Sequence, residues 1–213
     1  MTDQTWNLPP EEIERRSLAI IDAEAGTHPW GPRRWAVVRR MIHTTADFDW
    51  RDICMFHDQA IDSGLAALQS GRVIVTDTRM AQMGLSPWRL NKLGVVARCL
   101  VDDPATAAIA KARGVTRSLA AVDLAVEQNL GQIFVIGNAP TALLRLLEHC
   151  DAGRVKPSLV VGLPVGFVNA AEAKDALGQR DLPFITARGR KGGSAVAASV
   201  INALAIMALE NDK

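Results

Sequence analysis

The stretch Arg39-Arg40-Met41-Ile42-His43-Thr44-Thr45-Ala46-Asp47 sets one histidine beside two guanidinium groups, two hydroxyls and an acid. An unperturbed histidine exchanges protons near neutral pH, so the segment is equipped for general acid–base chemistry. On a helix, Arg39 and Arg40 lie four and three residues before His43, and all three share one face. Val38, Met41 and Ile42 lie on the flanks and would anchor that helix in a core. Two adjacent guanidiniums disfavour the imidazolium, and an anion bound on them favours it again. The plainer reading of a lone histidine here is structural: a helix end with a solvated basic edge, the ring capping the last carbonyls.

A second cluster stands near the end of the chain. Arg188, Arg190 and Lys191 fall within four positions, beside Gly189, Gly192 and Gly193 and just before a helix start at Ser194. In a chain of formal net charge +1 this is a concentrated anion site. Arg15, Arg39, Arg40, Arg79 and Arg117 are candidates to converge on the same region, and a ligand with several carboxylates fits that distribution better than one phosphate. Other chemistries lack their residues. There is no HExxH, no GxSxG and no spaced histidine pair for a metal. The glycine-containing loops match neither GxGxxG nor GxxxxGK[ST], so nucleotide binding has thin support. Gly137-Asn138-Ala139-Pro140 reads equally well as a plain helix start with Asn138 as its cap. His28, His57 and His149 read as surface or capping residues, and Cys54 and Cys99 as buried structural thiols.

The elements that must position these groups are regular from residue 73 onward. Pro9-Pro10-Glu11-Glu12 opens a helix to about Gly26 with Ile13, Ser17, Ile20 and Ile21 on one side, and the His43 helix follows the turn at 28–32. Residues 48–56 read as an early strand or loop, and 57–68 as a helix closed by Gly71. Strands are expected at 73–76, 95–100, 133–136, 159–162 and 184–186. Helices are expected at 104–113, 118–129, 140–150, 170–177 and from Ser194. Short, continuously apolar strands alternating with helices mark a mainly parallel sheet covered on both faces. The expected fold is thus α/β: one doubly wound, Rossmann-like domain spanning 1–213, with an N-terminal helical section packed on it. Ligands in such sheets bind beyond the carboxyl ends of the strands, which here are the segments after Asp77, Gly137, Gly162 and Arg188.

Composition narrows the class. The 213 residues are 48% hydrophobic and 22% charged, ordinary for a globular protein. A net charge of +1 provides no global field for nucleic acid or an anionic membrane. Three separated cysteines without a CxxC pair point to reduced thiols in the cytoplasm, not to disulfides or zinc. The start MTDQTWNLPPEEIERR is polar and acidic, unlike a secretory signal. The uncharged run Gly192–Leu209 has the length of a membrane span, but its many Ala, with Ser and Asn, fit a buried helix or a subunit contact.

The segment Arg40-Met41-Ile42-His43-Thr44-Thr45-Ala46-Asp47 closely resembles the histidine segment of the precorrin-8X methylmutases of cobalamin biosynthesis. The likeness continues, in the family's order, through Thr76-Asp77-Thr78-Arg79-Met80, Gly137-Asn138-Ala139-Pro140-Thr141-Ala142-Leu143, Val161-Gly162-Leu163-Pro164-Val165-Gly166-Phe167-Val168-Asn169 and Gly189-Arg190-Lys191-Gly192-Gly193-Ser194. The resemblance implies a Rossmann-like homodimer with active sites near the dimer contact. It implies an isomerase that moves a methyl group from C-11 to C-12 of precorrin-8X, giving hydrogenobyrinate, with no metal and no cofactor. It implies His43 as the proton-transferring residue and Ser17 and Arg40 as substrate-binding positions. Thr78, Arg79 and Arg117 are carried over by local context, and Arg15, Arg39, Thr44, Met80, Arg188 and Lys191 complete the expected substrate-binding set. A cobalt-precorrin-8 methylmutase of the anaerobic route and a corrinoid carrier without catalysis are the alternatives. A nucleotide-binding enzyme using the Gly189–Ser194 loop is a third.

Overall fold

The computed structural model describes residues 7–210. Residues 1–6, which carry part of the start read as unlike a secretory signal, lie outside that range. In chain order the elements are α1 (Pro10–Ala25), α2 (Pro32–Thr45), α3 (Trp50–Ile53), β1 (Cys54–Phe56), α4 (Ala60–Gln69), β2 (Ile74–Thr76), α5 (Arg79–Gly84), α6 (Pro87–Lys92), β3 (Ala97–Cys99), α7 (Pro104–Arg113), α8 (Arg117–Glu127), β4 (Ile133–Ile136), α9 (Pro140–Asp151), β5 (Leu159–Gly162), α10 (Ala170–Gly178), β6 (Phe184–Ala187) and α11 (Ser194–Glu210).

The six strands form one sheet in the order β1-β6-β5-β4-β2-β3. All neighbours are parallel except β1 with β6, where Cys54, Met55 and Phe56 face Ala187, Thr186 and Ile185. Every residue of β2, β4, β5 and β6 is buried, the pattern of strands covered on both faces. One covering layer joins α1–α4, α6 and α11 in a single core, with α5 packed on α11, and the other joins α8, α9 and α10. The chain runs outward from β2 to β3 and then returns to place β4 on the other side of β2, so the order reverses between β2 and β4. The α/β class, the mainly parallel sheet and the N-terminal helices packed on it are as the pattern of residues predicts.

Helix α2 is the rod on which the histidine stands. Pro32 occupies its first turn, and Ala46 closes it in a left-handed conformation with its N–H on the Ile42 carbonyl. Val37, Val38, Met41 and Ile42 are at most 1% exposed. Burying apolar side chains of this size contributes about 1.5–3 kcal/mol each. Helix α11 uses the long uncharged run: eleven of its residues are buried, and it packs against α2, α4, α5 and α6. Among the described residues no helix is long and apolar enough to cross a membrane.

Three local expectations are corrected. Residues 48–56 are not one strand or loop but a single helical turn, α3, followed by the antiparallel edge strand β1. Ile13, Ser17, Ile20 and Ile21 do share one side of α1, with Ile13 and Ile20 48% and 56% exposed and Ile21 buried. Asn138 is not the cap of α9, because the cap position is Ala139 and the N–H groups there are taken by Asp77. His149 is neither at the surface nor a cap; it is buried with Nε2 2.6 Å from Asp123 Oδ1. The remaining two histidines are closer to expectation. His57 accepts from the Gln59 N–H at the opening of α4, and His28 stacks on Trp35 with ring centroids 3.9 Å apart.

Candidate active site

The helix α1 lies against α2 and supplies a partner for each polar group of its histidine face. His43 Nδ1 is 2.9 Å from Ser17 Oγ. Arg40 Nη2 is 2.5 Å from Glu14 Oε1, and Arg39 Nη1 donates to Asp22 Oδ2 at 2.6 Å. Each guanidinium thus faces a carboxylate, and the two pairs sum to zero charge. The Arg40 guanidinium holds the Glu14 carboxyl below the usual carboxylate range. His43 does not cap the helix end as the structural reading would have it. Its ring is half-buried, and Nε2 makes no hydrogen bond among the described residues. Thr44 is exposed and donates to the Arg40 carbonyl one turn back.

His43 and Ser17 line a groove of about 660 Å³ whose walls are Leu8, Ile13, Ile20, Ile21, Ile42 and Phe48, with Arg16 and Glu24 at the rim. The exposed Ile13 and Ile20 of α1 therefore form an apolar floor beside the histidine. A larger depression of about 920 Å³ opens at the amino ends of β2, β5 and β6, among Gln59, Ser63, Arg72, Lys156 and Asp181. It contains none of the candidate residues, and the groove on α1 and α2 is the better site.

The carboxyl ends of the strands do come together, but largely to bond one another. The Asp77 carboxylate accepts from Gly137 N, Asn138 N and Ala139 N at 3.0, 2.8 and 2.8 Å. These are the N–H groups at the crevice between β2 and β4 where a doubly wound fold would hold an anion. The protein's own aspartate occupies it. Burial pushes the Asp77 carboxyl up, and the three N–H donors pull the other way. Thr78 caps α5 by accepting from Ala81 N, and its Oγ1 is 2.8 Å from Ser194 Oγ at the start of α11. Gly137 has to be glycine, since a Cβ there would lie 2.7 Å from the Ser194 Cα. Replacing Asp77 by Asn should lower stability by about 2 kcal/mol, because the amide NH₂ would face N–H donors. Urea unfolding reads this, and an unchanged midpoint would show that the carboxylate is dispensable.

The arginines are more scattered than their numbers alone suggest. Arg15 is held by Glu12 on the exposed side of α1. Arg79 donates to Asp102 and Gln82, next to a largely exposed Met80. Arg117 opens α8 in the opposite helical layer. The five are spread over both layers of the fold and do not form one cluster. Arg188 is exposed and forms no ion pair among the described residues. Lys191 provides the link between the two regions: its Nζ lies 2.5 Å from Asp47 and 2.6 Å from Asp49, just past the end of α2. The partners Glu14, Asp22 and Asp49 carry no motif, and only the packing of distant segments reveals them. Among the described residues no group of three or more His, Cys, Asp or Glu side chains could hold a metal ion.

Comparison with known proteins gives the family. The protein-family model for precorrin-8X methylmutase matches residues 12–207. A cobalt-precorrin-8 methylmutase of Salmonella typhimurium is 47% identical, over 92% of this chain and 94% of its own. A precorrin-8X methylmutase of Pseudomonas aeruginosa is 43% identical, again over 92% and 94%. The crystal structure of precorrin-8x methyl mutase from Thermus thermophilus superposes with a TM-score of 0.88 at 43% identity, covering 94% of this chain and 97% of that one.

Proposed function

The chain belongs to the precorrin-8X methylmutase family, and from that premise we propose that it is an isomerase that moves the C-11 methyl group of precorrin-8X to C-12, yielding hydrogenobyrinate, with His43 as the proton-transferring group. The supporting observation is the Ser17–His43 pair in an apolar groove. Ser17 holds Nδ1 while Nε2 stays uncommitted among the described residues. A proton passed from His43 to a ring nitrogen draws electron density from the macrocycle and eases the migration; the proton then returns, so the reaction is a net isomerisation. The apolar walls suit a tetrapyrrole ring, and their low polarity strengthens the charged contacts at its edge.

Arg40, one turn before His43 on α2, is a cation for the acidic arms of the substrate. Its guanidinium is already paired with Glu14, and exchanging that carboxylate for one of the substrate keeps the charge balanced. Arg39 and Thr44 stand beside it on α2, and Arg15, on the exposed side of α1, is proposed to meet a further arm. Thr78, Arg79, Met80, Arg117, Arg188 and Lys191 are proposed to meet more distant arms. A second copy of the chain lying over the exposed Ile13 and Ile20 would complete the groove as a homodimer. The free thiols suit a cytoplasmic enzyme, and burial pushes Cys54 up to about 12 and Cys150 up to about 11, which keeps both unreactive.

The deciding experiment supplies precorrin-8X and its cobalt-loaded counterpart in parallel and follows the visible spectrum. Conversion of the metal-free substrate is the expected result. Conversion of the cobalt form alone would assign the chain to the anaerobic route, and tight binding without spectral change would make it a carrier.

A further inference from the structure

Lys174 is a lysine placed in the interior of the fold. It is 0% exposed on α10, flanked on the same helical face by the buried Ala170, Ala173 and Leu177. Among the described residues it forms no ion pair; the carboxylate that acts on it is that of its exposed neighbour Asp175. Its ammonium donates to the Lys191 carbonyl in the loop between β6 and α11. Burial pushes the group down to about 8. Keeping an ammonium in such a place is costly unless its hydrogen bond is needed.

The loop it touches is otherwise loosely held. Residues 188–191 are all exposed. Their backbone ties are the Arg188 N–H on the Ile53 carbonyl and the Arg190 carbonyl accepting from Gly166 N. Beyond Lys191 the chain is fixed, since Gly193 N bonds the Leu163 carbonyl and a Cβ at Gly192 would lie 2.2 Å from that same oxygen. Lys191 stands at the junction. Its carbonyl points to Lys174, and its side chain reaches Asp47 and Asp49 beyond the end of α2. The Lys191 ammonium also holds the Asp47 carboxyl below its usual range, so this far end of the chain of contacts stays charged at neutral pH.

We propose that Lys174 is a positioning residue: through the Lys191 carbonyl its ammonium fixes the β6–α11 loop, so that the Lys191 side chain closes onto Asp47 and Asp49 beside the histidine groove. The loop is the partner that is held, because α2 is already anchored by its four buried side chains. The clamp therefore governs how the cationic loop meets a substrate's anionic arms, not the proton step at His43. In that kinetic respect the inference rests on the methylmutase reading; the structural clamp does not depend on it.

Lys174→Met keeps the length and removes the donor, and Lys174→Gln keeps a neutral donor should the first variant not fold. Trypsin reads the loop without any substrate, since Arg188, Arg190 and Lys191 are exposed cleavage sites. Cleavage there in the native protein should accelerate about tenfold in Lys174→Met and less in Lys174→Gln, the loss of one hydrogen bond to a charged donor. KM for precorrin-8X should rise by a similar factor of about ten while kcat stays within about threefold. Lys191→Ala should show the same KM effect, and the double variant should be no worse than either single one, as expected for two residues in one chain of contacts. Wild-type cleavage rates in both Lys174 variants, or multiplying effects in the double variant, would overturn the proposal. Absence of turnover in the wild type would fail the methylmutase reading alone, and the cleavage rates would still decide the clamp.

Discussion

Replacing His43 by Ala is expected to lower kcat on precorrin-8X by about 10²–10⁴-fold, the usual contribution of a positioned acid–base group. KM should change little, because the acidic arms are assigned to arginines and not to the imidazole. The variant should remain folded: the ring is half-buried and, among the described residues, hydrogen-bonds to Ser17, while α2 keeps its four buried anchors. Circular dichroism and the unfolding midpoint check this before the rate is measured. Ser17 Oγ would then be left with water in the groove. Wild-type turnover by His43→Ala would remove the proton-transfer role, and the migration would have to be driven by binding and ring strain alone.

Removing the charge of Asp123 should produce the largest loss of stability of any single change considered, about 3 kcal/mol. Its carboxylate is 2% exposed and accepts from Arg113 Nη1 at 2.9 Å, Arg145 Nε at 2.6 Å and His149 Nε2 at 2.6 Å. In Asp123→Asn the amide NH₂ must face one of these donors. The side chains of Arg113 and Arg145 are 50% and 25% exposed and can turn to water, which moderates the loss. The His149 side chain, at 6%, has nowhere to go. Burial pushes the Asp123 carboxyl up, but the hydrogen bonds from Arg145 and His149 outweigh it and hold the group below the usual carboxylate range. A depressed carboxyl stabilises fully above its unfolded value of about 4 and loses that contribution as the pH falls through the lower folded value. The gap between wild type and Asp123→Asn should therefore narrow below about pH 4. Urea unfolding at several pH values measures it. A gap that persists undiminished in acid would mean that packing, not the carboxylate charge, is responsible.

These two residues differ in how visible they are along the chain. His43 stands in a segment whose neighbours repeat at helical spacing, so its helix, its buried flank and its shared face with Arg39 and Arg40 follow from local order. Asp123 lies in a helix of alternating Ala, Val and Leu, and its partners come from α7 and α9, 10, 22 and 26 residues away. No spacing rule connects such groups. Lys174 is an intermediate case: its place on the 170, 173, 174, 177 face was available as a pattern, since a lysine there breaks an otherwise apolar stripe. The arginines show the opposite limit. Counting them suggested one convergent site, whereas carboxylates on α1 and Asp102 bind four of the five and the fifth opens a helix in the other layer.

What this sequence determines by itself is everything encoded at short range: the apolar runs IVT, IFVI, LVVG and FITA as buried parallel strands, the helix starts at Pro10, Pro32, Pro104 and Pro140, and the histidine poised at the end of α2. Backbone geometry imposes those periods, so residue order is sufficient to read them. Only the tertiary structure decides which carboxylate neutralises which guanidinium, that Ser17 rather than a helix carbonyl meets His43, and that Asp77 fills the crevice an anion would otherwise take. Such pairings join segments up to 144 residues apart, as Lys191 and Asp47 do. They exist because sheet order brings loop ends together, and strand order is set by how the two helical layers bury their apolar faces, a property of the whole chain and of no segment within it.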